Sequence, residues 1–197
     1  MNTFKALESV KTDQGNKLSI IEKSIDSLPE GELLIKVAYS SLNYKDALSA
    51  SGAPGVTKNY PHVPGIDAVG KVTESADEEF KEGDSVIVTG YDLGMNTSGG
   101  FGEYIRVPSA WAIKLPDGLS EKESMSLGTA GLTAGLSVQA LSDFNLAEDF
   151  TQSKSIVTGS TGGVGSIALM LLAKLGSEVT AVTGKHCLLY TSPSPRD

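Results

Sequence analysis

From Thr3 to about Pro116, apolar and polar residues alternate over short stretches, the spacing of half-buried strands. In Glu32–Ser41, Leu33, Ile35, Val37 and Tyr39 alternate with Leu34, Lys36, Ala38 and Ser40, and Leu34 breaks the pattern. Leu18–Ser24, Val69–Glu74, Ser85–Thr89 and Tyr104–Val107 are further strand-forming stretches. Turn residues punctuate them at Pro29–Gly31, Pro64–Asp67, Glu82–Asp84 and Ser98–Glu103. Short strands with frequent turns predict a compact, barrel-like β unit. One helix interrupts it at Tyr44–Ser51, with Asn43 as N-cap, Asp46 as acidic capping partner and Gly52 as the stop.

The period changes after Leu115. The chain looks helical beyond Ser120, with small residues at Gly128, Ala130, Gly131, Ala134 and Gly135. A polar connection, Ser142–Ser153, follows. Then come a strand (Ser155–Thr158), a Gly-rich turn, a helix (Val164–Leu175), a turn at Gly176 and a strand (Glu178–Val182). That order is a βαβ unit opening a doubly wound domain.

Composition narrows the function. Sixteen Lys and Arg against 24 Asp and Glu give a net charge of −8. Such a chain is a poor partner for nucleic acid or an anionic membrane. The stretch MNTFKALESV lacks a basic region followed by an apolar one, so the cytoplasm is the expected compartment. One Cys and two His leave too few ligands for a zinc cluster or a Cys–His nucleophile.

The segment Cys187–Asp197, CLLYTSPSPRD, departs abruptly from what precedes it. In one frame it back-translates to a transposase adapter used in sequencing libraries, so it is expected to be non-native and is set aside. The alternative is a natural Ser/Pro-rich tail. Setting aside Arg196 and Asp197 leaves the charge at −8, and without Cys187 no cysteine remains.

The strongest chemical signal is Gly159-Ser-Thr-Gly162-Gly163-Val-Gly165, between an apolar strand and an amphipathic helix. Glycines allow a tight turn and close approach to a pyrophosphate, which the helix N-terminus then holds. A site selective for NAD places Asp or Glu at the end of the next strand. Here the residues are Thr183, Gly184 and Lys185, a donor and a cation suited to a 2′-phosphate, so NADPH is favoured over NADH. Asn43 and Tyr44 are either a local helix cap and packing or polar contacts beside a nicotinamide. The run from Gly128 to Ala134 allows something flat to lie against a helix start, or simply close helix packing. His62, before a Pro–Gly turn, is expected to be structural rather than a general base.

Together, SSLNYKDAL, YPHVPGIDAVG, GDSVIVTG, SGGFGEYIRVP, LGTAGLTAGLSV, VTGSTGGVG and AVTGK resemble the medium-chain dehydrogenases/reductases, in their zinc-free acryloyl-CoA reductase/quinone oxidoreductase branch. The resemblance spans Phe4–Lys185. It implies an α/β fold: a GroES-like β-rich catalytic domain over 1–125, then the N-terminal part of a Rossmann domain over 126–186. Zinc-dependent relatives bear metal ligands where this chain has Asn43 and Ile66-Asp67, so no metal is expected. The implied NADPH contacts are Tyr44, Thr161, Gly162, Gly163, Val164, Thr183, Gly184 and Lys185, and Thr129 is taken as a further one. The implied reaction is hydride reduction of an alkene conjugated to a carbonyl, with Asn43 and, less directly, Asp67 as the catalytic polar groups. A quinone is the alternative substrate, and a non-catalytic nucleotide-binding protein the alternative class. A doubly wound domain has about six strands and this chain supplies two. It is therefore expected to be an N-terminal fragment, inactive alone, of an enzyme that is a homodimer at full length.

Overall fold

The computed structural model describes residues 3–143 and 150–184. It divides into two compact units, one ending at Thr129 and one beginning at Ala130. The sequence-based division after residue 125 falls inside the same helix, Glu121–Asp143. The polar connection Ser142–Ser153 is described only in part, and Lys185, His186 and Cys187–Asp197 lie outside the described residues.

In the first unit, β1 (Thr3–Thr12) and β2 (Gly15–Ser24) form an antiparallel hairpin. Five strands form an antiparallel sheet: β3 (Leu33–Tyr39), β4 (Asp67–Ser75), β5 (Ser85–Thr89), β6 (Tyr104–Val107) and β7 (Ala112–Lys114). Their order is β6-β3-β4-β5-β7. The barrel-like unit is therefore built as an open sheet with β6 and β7 at its edges. The hairpin is tied to the β5–β6 connection by the Ala6–Gly102 bridge and by Leu7 N–H donating to Phe101 O at 2.9 Å.

Leu33, Ile35, Val72, Val86, Val88, Ile105 and Val107 form the sheet core. Burying such a side chain contributes roughly 1.5–3 kcal/mol. Leu34, which broke the alternation, is buried as well. Leu33, Leu34 and Ile35 are all buried, so both faces of β3 are covered at its start and strict alternation is not required there. β7, with three residues, is too short for its pattern to show in the sequence.

Helix α1 (Tyr44–Ser51) begins and ends where the sequence predicts. A capping box closes its start, and Gly52 takes φ 76° at its end. Helix α2 (Glu121–Asp143) starts at a second capping box, in which Glu123 N–H donates to Ser120 Oγ and Ser120 N–H donates to Glu123 Oε2. It is broken by Gly128, whose φ of 50° and ψ of −152° are non-helical. That conformation is open to Gly and nearly closed to other residues.

In the second unit, β8 (Lys154–Thr158) and β9 (Glu178–Val182) pair in parallel, with α3 (Gly163–Lys174) as the crossover. Val138, Val157 and Leu172 form its buried centre. The mixed α/β class expected from the sequence is borne out. Among the described residues, no helix is long and apolar enough to cross a membrane.

Candidate functional site

The two units each carry one part of the chemistry suggested by the sequence. In the first, the centre is Asp67, the opening residue of β4, which is 0% exposed. Burial of an ionised carboxylate is costly unless its lone pairs are filled. Three donors reach Oδ2 and one reaches Oδ1. Asn43 Nδ2 donates to Oδ2 at 2.9 Å and Thr129 N–H donates to Oδ2 at 2.9 Å. Thr129 Oγ1 donates to Oδ1 at 2.7 Å, and Ser41 Oγ donates to Oδ2. Asn43 Nδ2 also donates to Ser41 Oγ at 3.2 Å.

Local folding supplies each donor. Asn43 is the N-cap of α1, held at the end of the segment following β3 by its backbone N–H, which donates to Asp46 Oδ2. The Thr129 N–H points at Asp67 because the Gly128 break releases it from the helix. A Cβ at Gly128 would stand 2.6 Å from Ser41 Oγ and 2.8 Å from Asp67 Oδ2, so the close approach requires glycine at this position.

Asp46, in the first turn of α1, is a second buried carboxylate. It accepts from Asn43 N–H at 2.7 Å and from Ile66 N–H at 2.9 Å, tying the helix start to the residue before Asp67. Desolvation holds its carboxyl above the usual carboxylate range, the nearby Asp67 charge adds to this, and the two N–H donors oppose it. The sequence assigned Asp46 only its capping role. Ser41 and Gly128 had no assigned role at Asp67, because nothing local marks them as neighbours of it.

His62 is buried and its Nε2 lies 2.8 Å from Gly94 O. Its backbone pairs with Ser9 in both directions. Burial pushes its pKa down. It is a structural histidine, as the sequence suggests.

In the second unit, the Gly-rich loop leads from β8 into α3. Gly159 takes φ 61° and its carbonyl accepts from Gly162 N–H at 2.9 Å. A Cβ at Gly165 would overlap Gly159 O, so the turn closes onto the helix only with glycine there. Gly162 is the N-cap of α3, and Gly162, Gly163 and Val164 are exposed. The first N–H groups of a helix have no intrahelical acceptor and favour an anion. Ser160, buried, donates its N–H and Oγ to Val182 O at 3.3 and 3.1 Å. This bond pins the loop to the end of β9, a role for Ser160 that the glycine pattern does not reveal. Beside it, Thr161 Oγ1 and Thr183 Oγ1 lie 3.1 Å apart. The loop, the helix start and the hydroxyl pair fit the phosphates of a dinucleotide.

The structure thus groups Asn43, Asp67 and Thr129 in one cluster, and Thr161, Gly162, Gly163, Val164, Thr183 and Gly184 around another. Tyr44 is the first residue of α1 and is 81% exposed. Lys185 lies outside the described residues. Among the described residues, no group of three or more His, Cys, Asp and Glu could hold a metal ion.

Residues 29–117 match the family model of the alcohol dehydrogenase GroES-like domain. The chain is 45% identical over 183 residues to the putative quinone oxidoreductase YhfP of Bacillus subtilis, covering 93% of this chain and 55% of that protein. A solved structure of yhfP, with NAD bound, superposes with a TM-score of 0.90. The acrylyl-CoA reductase AcuI of Ruegeria pomeroyi is 44% identical over 184 residues, with 92% and 55% covered. The yhdH oxidoreductase of Salmonella enterica, solved in complex with NADP, is 41% identical with a TM-score of 0.89, covering 94% of this chain and 57% of that one. The chain spans about half the length of the curated relatives it matches. These matches bear out the family resemblance seen in the sequence.

Proposed function

We propose, for a chain that carries an alcohol dehydrogenase GroES-like domain and resembles zinc-free medium-chain reductases along most of its length, that it belongs to an NADPH-dependent oxidoreductase acting on the alkene of an enoyl thioester such as acryloyl-CoA. The observation that carries this reading is the closed Gly-rich turn on α3, beside a strand end that offers hydroxyls and no carboxylate. The similarity to AcuI supports the thioester substrate. The similarity to YhfP favours a quinone as the second reading.

When bound, the nicotinamide supplies the hydride. The chain's own residues do the holding. The N–H groups at Gly162–Val164 take the pyrophosphate. Thr161 and Thr183 present hydroxyls toward a 2′-phosphate, and Lys185 adds the cation that the sequence places next to them. Tyr44, on the exposed start of α1, is a contact for the nicotinamide face. Thr129 is a further cofactor contact in this reading. Its N–H and hydroxyl proton go to Asp67, so its methyl and the acceptor side of its hydroxyl are what it offers. Asn43 and Asp67 support the reacting centre from their buried polar cluster.

The test is turnover by the protein expressed from its complete reading frame, followed by loss of NADPH absorbance. The expected result is a kcat/KM for acryloyl-CoA at least about tenfold above that for a benzoquinone, a difference of about 1.4 kcal/mol in transition-state binding. The reverse ratio selects the quinone reading. NADPH binding with no turnover of either substrate selects a non-catalytic nucleotide-binding protein.

A further inference from the structure

We infer that Asp67 is a positioning residue, whose buried carboxylate holds the Ser41–Tyr44 segment in the one arrangement that presents Leu42 and Tyr44 to solvent. An ionised carboxylate has about four acceptor directions and no proton to donate. Asp67 meets four donors, from Ser41 Oγ, Asn43 Nδ2, Thr129 N–H and Thr129 Oγ1, and is 0% exposed. Three of these donors converge on Oδ2 and the Thr129 hydroxyl holds Oδ1, so the carboxylate is committed to the protein on both oxygens and closed to solvent. The Asn43 Nδ2 serves both Asp67 and Ser41. The buried carboxylate therefore acts on the reaction through what it positions.

What it positions follows from the chain. Ser41 and Asn43 face inward to Asp67, and Leu42 and Tyr44 next to them are 87% and 81% exposed. Ser40 adds a fifth tie, its Oγ donating to Asp67 O at 2.7 Å. Asp46 crosses back from α1 to Ile66 N–H. The segment is thus bound to β4 and its approach before and after the two exposed residues. On the other side, the acceptor needs the Thr129 amide, which the Gly128 break delivers. Removing the charge at Asp67 weakens the ties from Ser41 and Asn43 on either side of Leu42 and so loosens the seat of Tyr44. The catalytic consequence rests on the proposed reductase activity, and the clamp itself does not.

The experiment uses the complete protein and two readouts. Residue-resolved hydrogen–deuterium exchange follows the Thr129 amide in wild type, Asp67→Asn and Ser41→Ala. Steady-state kinetics follow a double-mutant cycle of Asp67→Asn with Tyr44→Ala. Asn presents its own N–H group to donors and loses the charge, so the Thr129 amide is expected to exchange about ten- to a hundredfold faster, the range for a lost charge-assisted hydrogen bond. Ser41→Ala, which removes one donor and keeps the fold if Asp67→Asn does not, is expected to move the same amide in the same direction by a smaller factor. In the cycle, each single variant is expected to lower kcat about tenfold and the double variant no further, because both act through Tyr44. A residue that merely stabilised the fold would give independent, multiplying losses. Unchanged exchange at Thr129 in both variants, or multiplying losses in the cycle, overturns the inference. A wild type without turnover overturns the reductase reading instead, and leaves the exchange result to decide the clamp.

Discussion

Replacing Gly128 with Ala tests whether the break in α2 is required by the Asp67 cluster. Two costs add. The backbone stays at φ 50° and ψ −152°, a region that costs a side-chain-bearing residue roughly 1–3 kcal/mol. The new Cβ also meets Ser41 Oγ at 2.6 Å and Asp67 Oδ2 at 2.8 Å. Neither atom is the loose end of a flexible chain, since they are hydrogen-bonded to each other and Asp67 is fully buried. Relief therefore breaks at least one charge-assisted hydrogen bond, about 1.5–3 kcal/mol. The sum is about 2.5–6 kcal/mol, or a fall in Tm on the order of 10–20 °C for a unit of this size. Gly118→Ala is the control. Gly118 has φ 83°, and a methyl there would meet nothing within 4 Å, so it carries the backbone cost alone. The assay is thermal unfolding of both variants beside wild type. If Gly128→Ala lowers Tm no more than Gly118→Ala, the packed approach of Gly128 to Asp67 is not part of the native state and the argument fails.

Three further outcomes are expected. Burial holds His62 below the ordinary imidazole value of 6.5, so the unfolded chain binds the extra proton first; stability should fall as pH drops below about 6.5 and level off below the folded pKa, and urea midpoints against pH should show that slope in wild type and lose it in His62→Gln. Gly165→Ala should abolish nucleotide binding in a titration while leaving the cluster at Asp67 intact, since its methyl would overlap Gly159 O in the other unit; tight binding by this variant would refute the closed turn. Thr183→Asp should reverse the cofactor preference by about ten- to a hundredfold, through repulsion of a 2′-phosphate and a new ribose contact, measured as the ratio of Kd for NADPH and NADH.

The sequence determined the parts whose physics is local. Alternation over β3, the Asn43 cap, the Gly52 stop and the strand–glycine–helix order at Ser155–Leu175 each depend on neighbours a few residues away. Those elements fall where the pattern predicts them. The glycines of the loop were legible for the same reason, because a tight turn into a helix is a local requirement. The sequence also named Asn43, Asp67 and Thr129 as candidates. It did not show that they touch, since 24 residues separate Asn43 from Asp67 and 62 separate Asp67 from Thr129. Only the tertiary structure joins them, because β4 carries Asp67 between the cap of α1 and the break of α2. That meeting decides the character of Asp67. A lone carboxylate in a sequence could accept, donate or ligate, whereas one that is fully buried among four donors can only accept. The same holds for Gly128, which in the sequence is one small residue among several. It becomes indispensable only when folding brings Ser41 and Asp67 within contact distance of its missing side chain.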